Sequence, residues 1–234
     1  MHEKLSSAAA LLVALSLAAC QVDPQSDKTN ATPPTIGANN PGDADVAAIG
    51  GTGVPDGYVG RTDRANMQLS DAKYLVSGNG WDVTTGPAHI LYMPGDTASG
   101  SYTVTATIDQ LAAPAHPEAY GIFIGGQALD GDAQKYLYLL VRGTGDMLAK
   151  VREGDKTKGV VAWTASDAVP KADTSGQATY KVAIQVRPDS VRFWVNGRQT
   201  AAVASAGLPT TGVYGIRINH NLHVRATPVT LTRP

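Results

Sequence analysis

The chain has 234 residues with 19 Lys and Arg against 20 Asp and Glu, a formal net charge of -1, and a single cysteine. Without a basic excess the protein cannot neutralise a run of phosphates, which excludes nucleic acid as its partner. One cysteine also excludes a disulfide within the chain and a zinc site built from several thiolates.

The first 20 residues have the layout of an export signal. An apolar run from Ala8 to Ala19 follows Lys4 and is too short to span a bilayer, which needs about 20 apolar residues. The run ends in Leu17-Ala18-Ala19-Cys20, which resembles the lipobox of bacterial lipoproteins. That resemblance implies a signal peptide over 1–19 and a mature chain that begins at lipidated Cys20, attached to the membrane by acyl chains such as palmitate. The alternative is an ordinary signal peptide that ends in a cysteine.

The residue after Cys20 indicates the destination. It is Gln21, whereas an Asp at this position resembles the signal that retains enteric lipoproteins in the inner membrane. We therefore expect a lipid-anchored protein of the bacterial cell envelope, located in the outer membrane.

Residues 20–57 are expected to form a flexible tether. Before Tyr58 the chain contains no aromatic residue, and it is rich in Asp, Asn, Thr, Pro, Gly and Ala. Such a composition buries too little apolar surface to offset the entropy of ordering, so this segment is predicted to be disordered. The folded domain is then expected to cover residues 58–234.

From Tyr58 onward, short β-like runs alternate with turn residues. Ser101–Ile108 places Tyr102, Val104, Ala106 and Ile108 on one face, with a polar face opposite. Further runs are Tyr120–Ile124, Lys135–Arg142, Met147–Arg152, Tyr214–Ile218 and Val224–Leu231. No segment here sustains a period of 3.6 residues, so the sequence predicts an all-β sandwich of two antiparallel sheets with jelly-roll topology.

The clearest local signal is a pair of hairpins. Tyr180–Arg187 turns at Pro188-Asp189-Ser190 into a strand whose apolar positions are Val191, Phe193 and Val195. Asn196-Gly197 follows, and Asn-Gly is the strongest short-range signal for a tight hairpin turn.

The order of these segments resembles the concanavalin A-like jelly rolls, in particular the laminin-G-like and 3-keto-disaccharide-hydrolase-like domains. The segments that carry the resemblance are Trp81-Asp82-Val83, Tyr120–Phe123, Tyr136–Arg142, Val191–Gly197 and Gly212–Ile218. The resemblance covers roughly residues 78–234. Its motifs are turns and close-packing glycines, so it supports a fold more strongly than an activity.

Catalytic patterns are scarce. The glucanases of this superfamily carry their carboxylates as E-x-D-x-x-E, and the mature chain has only two glutamates, Glu118 and Glu153, neither of which lies in such a pattern. If the chemistry of the 3-keto-glycoside hydrolases exists here, the candidates for proton transfer are Glu118 and His220. The sequence thus favours a protein without catalysis and leaves the enzyme hypothesis open.

Two segments could contribute to a metal site. Asp130-Gly131-Asp132 could donate oxygens to Ca²⁺, with Asp155 as a third donor if the fold brings the loops together, although Ca²⁺ prefers six to eight oxygens. His220 and His223 could share a zinc ion only if the segment between them turns, since residues three apart on a strand face opposite sides. No other cofactor is predicted.

A ligand-binding surface is the remaining candidate site. Alternation about the buried positions predicts that Tyr136, Tyr138, Arg142, Trp194, Arg217 and Asn219 face outward. Exposed aromatic rings beside Arg and Asn donors suit a sugar, because the ring stacks on C–H bonds while polar groups meet the hydroxyls.

Three functions therefore stay open. The first is a lipid-anchored envelope module that binds a ligand, with a carbohydrate as the expected class. The second is a structural or assembly lipoprotein that contacts another envelope protein. The third is a glycoside hydrolase of the 3-keto-disaccharide type.

Overall fold

The computed structural model describes residues 46–234, which form 16 β-strands and one short 3-10 turn at Leu69–Asp71. The predicted signal peptide, Cys20 and the predicted tether as far as residue 45 lie outside the described residues. No helix between residues 46 and 234 is long and apolar enough to cross a membrane.

Half of the strands form sheet I. Its strands are β1 (Val59–Thr62), β4 (His89–Tyr92), β5 (Thr97–Ala98), β7 (Ala119–Gln127), β8 (Lys135–Arg142), β9 (Asp146–Glu153), β10 (Lys156–Ala165) and β14 (Gly212–Ile218). They lie in the order β1-β4-β14-β7-β8-β9-β10, and β5 also pairs with β14. All of these pairs are antiparallel.

The other strands form sheet II. They are β2 (Lys73–Ser77), β3 (Gly80–Thr85), β6 (Tyr102–Gln110), β11 (Ala178–Val186), β12 (Ser190–Val195), β13 (Arg198–Ala204), β15 (Leu222–Ala226) and β16 (Thr230–Thr232). Their order is β13-β12-β11-β6-β15-β3-β2, with β16 also paired to β6. The predicted all-β, two-sheet antiparallel sandwich is confirmed.

The main core lies between the sheets and follows the predicted alternation. Every second residue of β6 is buried, from Tyr102 to Gln110, and Val182, Ile184 and Val186 of β11 are buried in the same way. The predicted turn at Asn196-Gly197 is also confirmed. Both residues have positive φ angles, 50° and 76°, as a two-residue hairpin turn requires.

The described chain is already paired before residue 58. Thr52 and Tyr74 exchange backbone hydrogen bonds, with N···O distances of 3.3 and 2.8 Å, and Val54 packs against the main core. These contacts attach the segment that leads into the domain to β2, the edge strand of sheet II.

Sheet I is buried on its outer face as well. On β8, Leu137 and Leu139 belong to the main core, whereas Tyr136 and Tyr138 belong to a second apolar cluster on the opposite face. The loop after β7 covers part of this cluster through Leu129, whose carbonyl accepts a hydrogen bond from Arg61 Nη1 at 3.2 Å.

A buried ion pair closes the second cluster. Arg217 of β14 donates from Nη1 and Nη2 to the two carboxylate oxygens of Asp63, at 2.7 and 2.6 Å. Its Nη1 also donates to Tyr136 Oη at 3.1 Å, and its guanidinium lies 4.8 Å from the centre of the Tyr138 ring. Burial alone would raise the pKa of Asp63, but the charge and hydrogen bonds of Arg217, together with Arg152, hold that pKa below its usual value.

We expect Asp63→Asn to lower the free energy of unfolding by about 3 kcal/mol at pH 7, because it leaves the buried Arg217 charge without a counter-ion. Urea denaturation measures this change. The matched control is Asp82→Asn, which breaks a similar two-oxygen pair with Arg225, at 2.6 and 3.0 Å, on the exposed side of sheet II. Solvent screens that pair, so a loss in the control as large as in Asp63→Asn would contradict the assignment.

His89 is a buried neutral histidine at the edge of the same region. Its Nδ1 contacts the Pro87 carbonyl at 2.9 Å, and its Nε2 contacts Tyr74 Oη at 2.5 Å. A carbonyl only accepts, so Nδ1 carries the proton and Nε2 accepts from the phenol. Burial lowers the pKa of His89 to about 4, which keeps the ring neutral.

The unfolded chain binds a proton at a histidine below pH about 6.5, whereas folded His89 does so only near pH 4. Folding stability should therefore fall as the pH drops through this window, by up to roughly 3 kcal/mol at 1.36 kcal/mol per pH unit. His89→Gln should flatten this slope in urea unfolding measured between pH 7 and pH 4. An unchanged slope in the variant would show that His89 does not titrate in this way.

Candidate functional site

The six residues predicted to bind a ligand do not form one surface. Trp194 lies on the outer face of sheet II, in β12, whereas Tyr136, Tyr138, Arg142 and Arg217 belong to sheet I. The sixth, Asn219, follows β14 in the crossing toward sheet II.

The expected exposure of the tyrosines is wrong. Tyr136 and Tyr138 do face away from the main core, as the alternation predicts, but only 1% and 4% of their surfaces are exposed. Arg217 is buried beside them and neutralised by Asp63. The loops after β1 and β7 cover this face, so these three residues stabilise the second cluster.

Arg142 lies at the margin of sheet I. Its Nε donates to Asp146 Oδ2 at 3.1 Å, and its guanidinium lies 4.0 Å from the centre of the Trp163 ring. Trp163, on the edge strand β10, is 40% exposed. Arg142 and Trp163 thus form a small contact at the protein surface.

Trp194 lines a groove on the outer face of sheet II. In the register of the sheet, Ala183 of β11 lies directly between Trp194 of β12 and Thr105 of β6. Ala183 has only a methyl group, whereas Lys181 and Gln185, two residues before and after it, have long side chains. The small residue in the centre therefore leaves a depression with an indole on one side and polar groups around it.

The groove has a volume of about 210 Å³. Its lining residues come from three neighbouring strands and the Asn-Gly turn: Thr103, Thr105, Lys181, Ala183, Gln185, Trp194 and Gly197. A second cavity of about 140 Å³ shares Thr103 and Gln185 with it and extends toward Arg187 and Arg233. The two depressions lie end to end along β6 and β11.

The indole of Trp194 offers a hydrogen bond that the described chain does not use. Its Nε1 is buried and has no acceptor among residues 46–234. An indole nitrogen can only donate, and a buried donor without an acceptor costs roughly 1–3 kcal/mol.

Glu118 and His220, the candidates for proton transfer, are brought together at one end of the sandwich. His220 Nε2 lies 3.3 Å from Glu118 Oε1, and His116 Nδ1 lies 3.2 Å from the same oxygen. Asn219 donates from Nδ2 to Glu118 Oε2 at 3.0 Å. Burial raises the pKa of Glu118, although His220, Asn219 and His116 counteract part of this effect.

Sequence reasoning missed His116, which lies two residues before Glu118, because the third member of the group, His220, comes from a distant part of the chain. The pairing of His220 with His223 is not observed, since the group of three possible ligands around His220 contains His116 and Glu118. In the part of the chain that the structure describes, His116, Glu118 and His220 form a possible metal-binding group, because one ligand atom from each lies within 4.8 Å of the other two.

The predicted calcium ligands do not belong to this group. Asp130 and Asp132 lie in the loop between β7 and β8, and Asp132 Oδ1 is 3.7 Å from Arg61 Nη2. The positive charge of the Arg61 guanidinium opposes the binding of a cation to the Asp132 carboxylate. Within residues 46–234, Asp155 completes no cluster of three ligands with them.

The sequence matches no protein-family model and no curated protein sequence. The structure, however, is similar to many solved structures. One is the carbohydrate-binding module CBM66 from Bacillus subtilis, with 10% identity and a TM-score of 0.55 over 76% of this chain and 96% of that one. Another is a Bacillus subtilis protein of unknown function with a galectin-like fold, with 11% identity and a TM-score of 0.55 over 74% and 88%.

A third similar structure is a Bacteroides ovatus GH16 protein of a mixed-linkage glucan locus, in complex with a G4G4G3G product. It has 6% identity and a TM-score of 0.54 over 77% of this chain and 97% of that one. At these identities the similarity defines the fold alone. The chain has the all-β jelly-roll sandwich of two antiparallel sheets that these structures share.

Proposed function

We propose that the domain binds a carbohydrate in the groove lined by Trp194. The observation that supports this most directly is an indole beside a shallow depression whose other walls are Thr, Gln and Lys side chains. The apolar face of the ring stacks on the C–H bonds of a sugar, while the hydroxyl, amide and ammonium groups bond to its hydroxyls. The fold adds support, since similar structures include a carbohydrate-binding module and a protein solved with a glucan product.

The dimensions of the groove indicate how much of a ligand it holds. Its volume of about 210 Å³ is below the roughly 300–1,000 Å³ of sites that enclose a drug-sized molecule. The groove would therefore hold part of a saccharide, and the adjoining cavity of about 140 Å³ would hold a neighbouring unit. An extended, weakly enclosed site of this kind suits a polysaccharide chain more than a free monosaccharide.

A thermal-shift screen of the purified chain against soluble glycans and 3-keto-glycosides, with and without Ca²⁺, identifies the ligand class. A ligand that binds only the folded state raises the melting temperature as its concentration exceeds Kd. We expect Trp194→Ala to weaken binding of the ligand so found at least tenfold, about 1.4 kcal/mol, in calorimetric titrations.

The matched control is Trp163→Ala, which removes a tryptophan from the other sheet and should leave affinity unchanged. Ala183→Leu is a second variant, because it fills the centre of the groove without removing the indole. Unchanged affinity in both Trp194→Ala and Ala183→Leu would rule out this groove. Absence of any glycan shift would favour the assembly-protein hypothesis.

We further propose that the domain is attached to the bacterial envelope through lipidated Cys20, in the outer membrane. Support for this comes from Leu17-Ala18-Ala19-Cys20 at the end of the apolar run and from Gln21 after it. More than one acyl chain on this cysteine would give stable attachment.

Cys20→Ala should move the protein from the membrane fraction to the soluble fraction of the producing bacterium. Metabolic labelling with radioactive palmitate should mark the wild-type protein and not the variant. Equal partition of the two proteins would contradict lipidation at Cys20, whatever the outcome for the groove.

A further inference from the structure

The cluster of His116, Glu118 and His220 lies where the chain crosses twice between the sheets. The segment from β6 to β7 supplies His116 and Glu118, and the segment from β14 to β15 supplies His220. Two backbone hydrogen bonds join these crossings: Asn219 N to Ala119 O at 3.0 Å, and Leu111 N to His223 O at 2.9 Å. The backbone therefore fixes the relative positions of the three side chains.

The spacing of the donor atoms fits a small tetrahedral ion. Zinc binds imidazole nitrogen and carboxylate oxygen at about 2.0–2.1 Å, so two ligands of a tetrahedral site lie roughly 3.3–3.4 Å apart. Here His116 Nδ1 and His220 Nε2 lie 3.2 and 3.3 Å from Glu118 Oε1. All three ligand atoms lie within 4.8 Å of one another, so one ion could contact all three after a small adjustment of the side chains.

The donor types select among metals. Two imidazoles and a carboxylate suit Zn²⁺ and related transition-metal ions, whereas Ca²⁺ requires six to eight oxygens. Glu118 is also oriented by Asn219, which donates to its second oxygen at 3.0 Å. Hydrogen bonds to a ligating carboxylate are a regular feature of built metal sites.

The site is also accessible. The side chain of Glu118 is mostly buried, while those of His116 and His220 are 34% and 15% exposed. An ion can therefore enter from the His116 side. Three protein ligands would leave one tetrahedral position for water or for an oxygen of a bound molecule.

We propose that His116, Glu118 and His220 form a site for a single zinc ion that links the two crossings at the end of the sandwich. The proposal is independent of the groove, since Trp194 belongs to neither crossing. A hydrogen-bonded ion pair between the carboxylate and protonated imidazoles would give the same distances without a metal. A metal titration distinguishes a zinc site from this metal-free ion pair.

The experiment uses the full chain with Cys20→Ser, so that the thiol does not contribute, after removal of metal with a chelator. Zn²⁺ is titrated in competition with a chromophoric chelator, and Co²⁺ is added separately as a spectroscopic probe. We expect one equivalent of Zn²⁺ to bind and Co²⁺ to give the intense visible absorption of tetrahedral coordination. Glu118→Gln and His220→Ala should each weaken Zn²⁺ binding at least tenfold.

His223→Ala is the matched control, because it removes a neighbouring histidine of the same segment that is not in the cluster. His116→Gln changes the most exposed of the three proposed ligands, so it tests the site even if the other two variants fail to fold. Circular dichroism of each metal-free variant shows whether it is folded. Failure of the wild-type chain to bind Zn²⁺, or an equal loss of affinity in His223→Ala, would overturn the proposal. Unchanged zinc binding in Trp194→Ala would show that the zinc site does not depend on the groove, so that a failure of the carbohydrate proposal would leave the zinc proposal intact.

Discussion

Arg217 lies near the centre of sheet I with its guanidinium desolvated, and its counter-ion Asp63 comes from a loop outside the sheet. A buried charge of this kind is tolerated only when it is paired and hydrogen-bonded. Burial of Arg217 therefore requires the loop after β1, which carries Asp63, to lie over the sheet. The loop position in turn encloses Tyr136 and Tyr138. Sheet I thereby has apolar contacts on both faces, and no open surface of its outer face remains around these aromatics.

This constraint leaves sheet II and the rim of the sandwich as the places for the two proposed sites. The outer face of sheet II carries the exposed Asp82–Arg225 pair, with Trp194 as the large aromatic side chain of the groove. The zinc-site candidate lies at the end of the sandwich, where the connection that leaves β6 crosses to sheet I. The strand β6 is common to both, since Thr103 and Thr105 line the groove and its C-terminal end leads into the crossing.

Local periodicity was sufficient to predict the class of fold. The alternation along β6, β11 and β12 and the Asn196-Gly197 turn depend on neighbouring residues, and the structure has them in the predicted places. The edge strand β10 escaped prediction because most of its side chains are exposed, so no buried face produces a pattern. Edge strands carry less sequence information for this reason.

The candidate sites depended on information that alternation does not contain. Alternation correctly separated the two faces of β8, but it could not show that distant loops cover one of them, since Asp63 and Arg217 are 154 residues apart. Likewise, His116 can be recognised as a candidate ligand only when the topology brings the two crossings, and with them His116 and His220, together. Trp194 was the more predictable residue, because its environment comes from adjacent hairpin strands whose register is set locally.

The late pairing of β6 has a consequence for the newly made polypeptide. One edge of this nine-residue strand pairs with β11, but the other pairs only with β15 and β16; Thr230 bonds to Thr105 across 125 residues. Until the last strands emerge, that edge presents unpaired amide and carbonyl groups to any neighbouring chain. A polypeptide interrupted before β15 would therefore be prone to aggregate through β6 instead of forming a smaller stable domain.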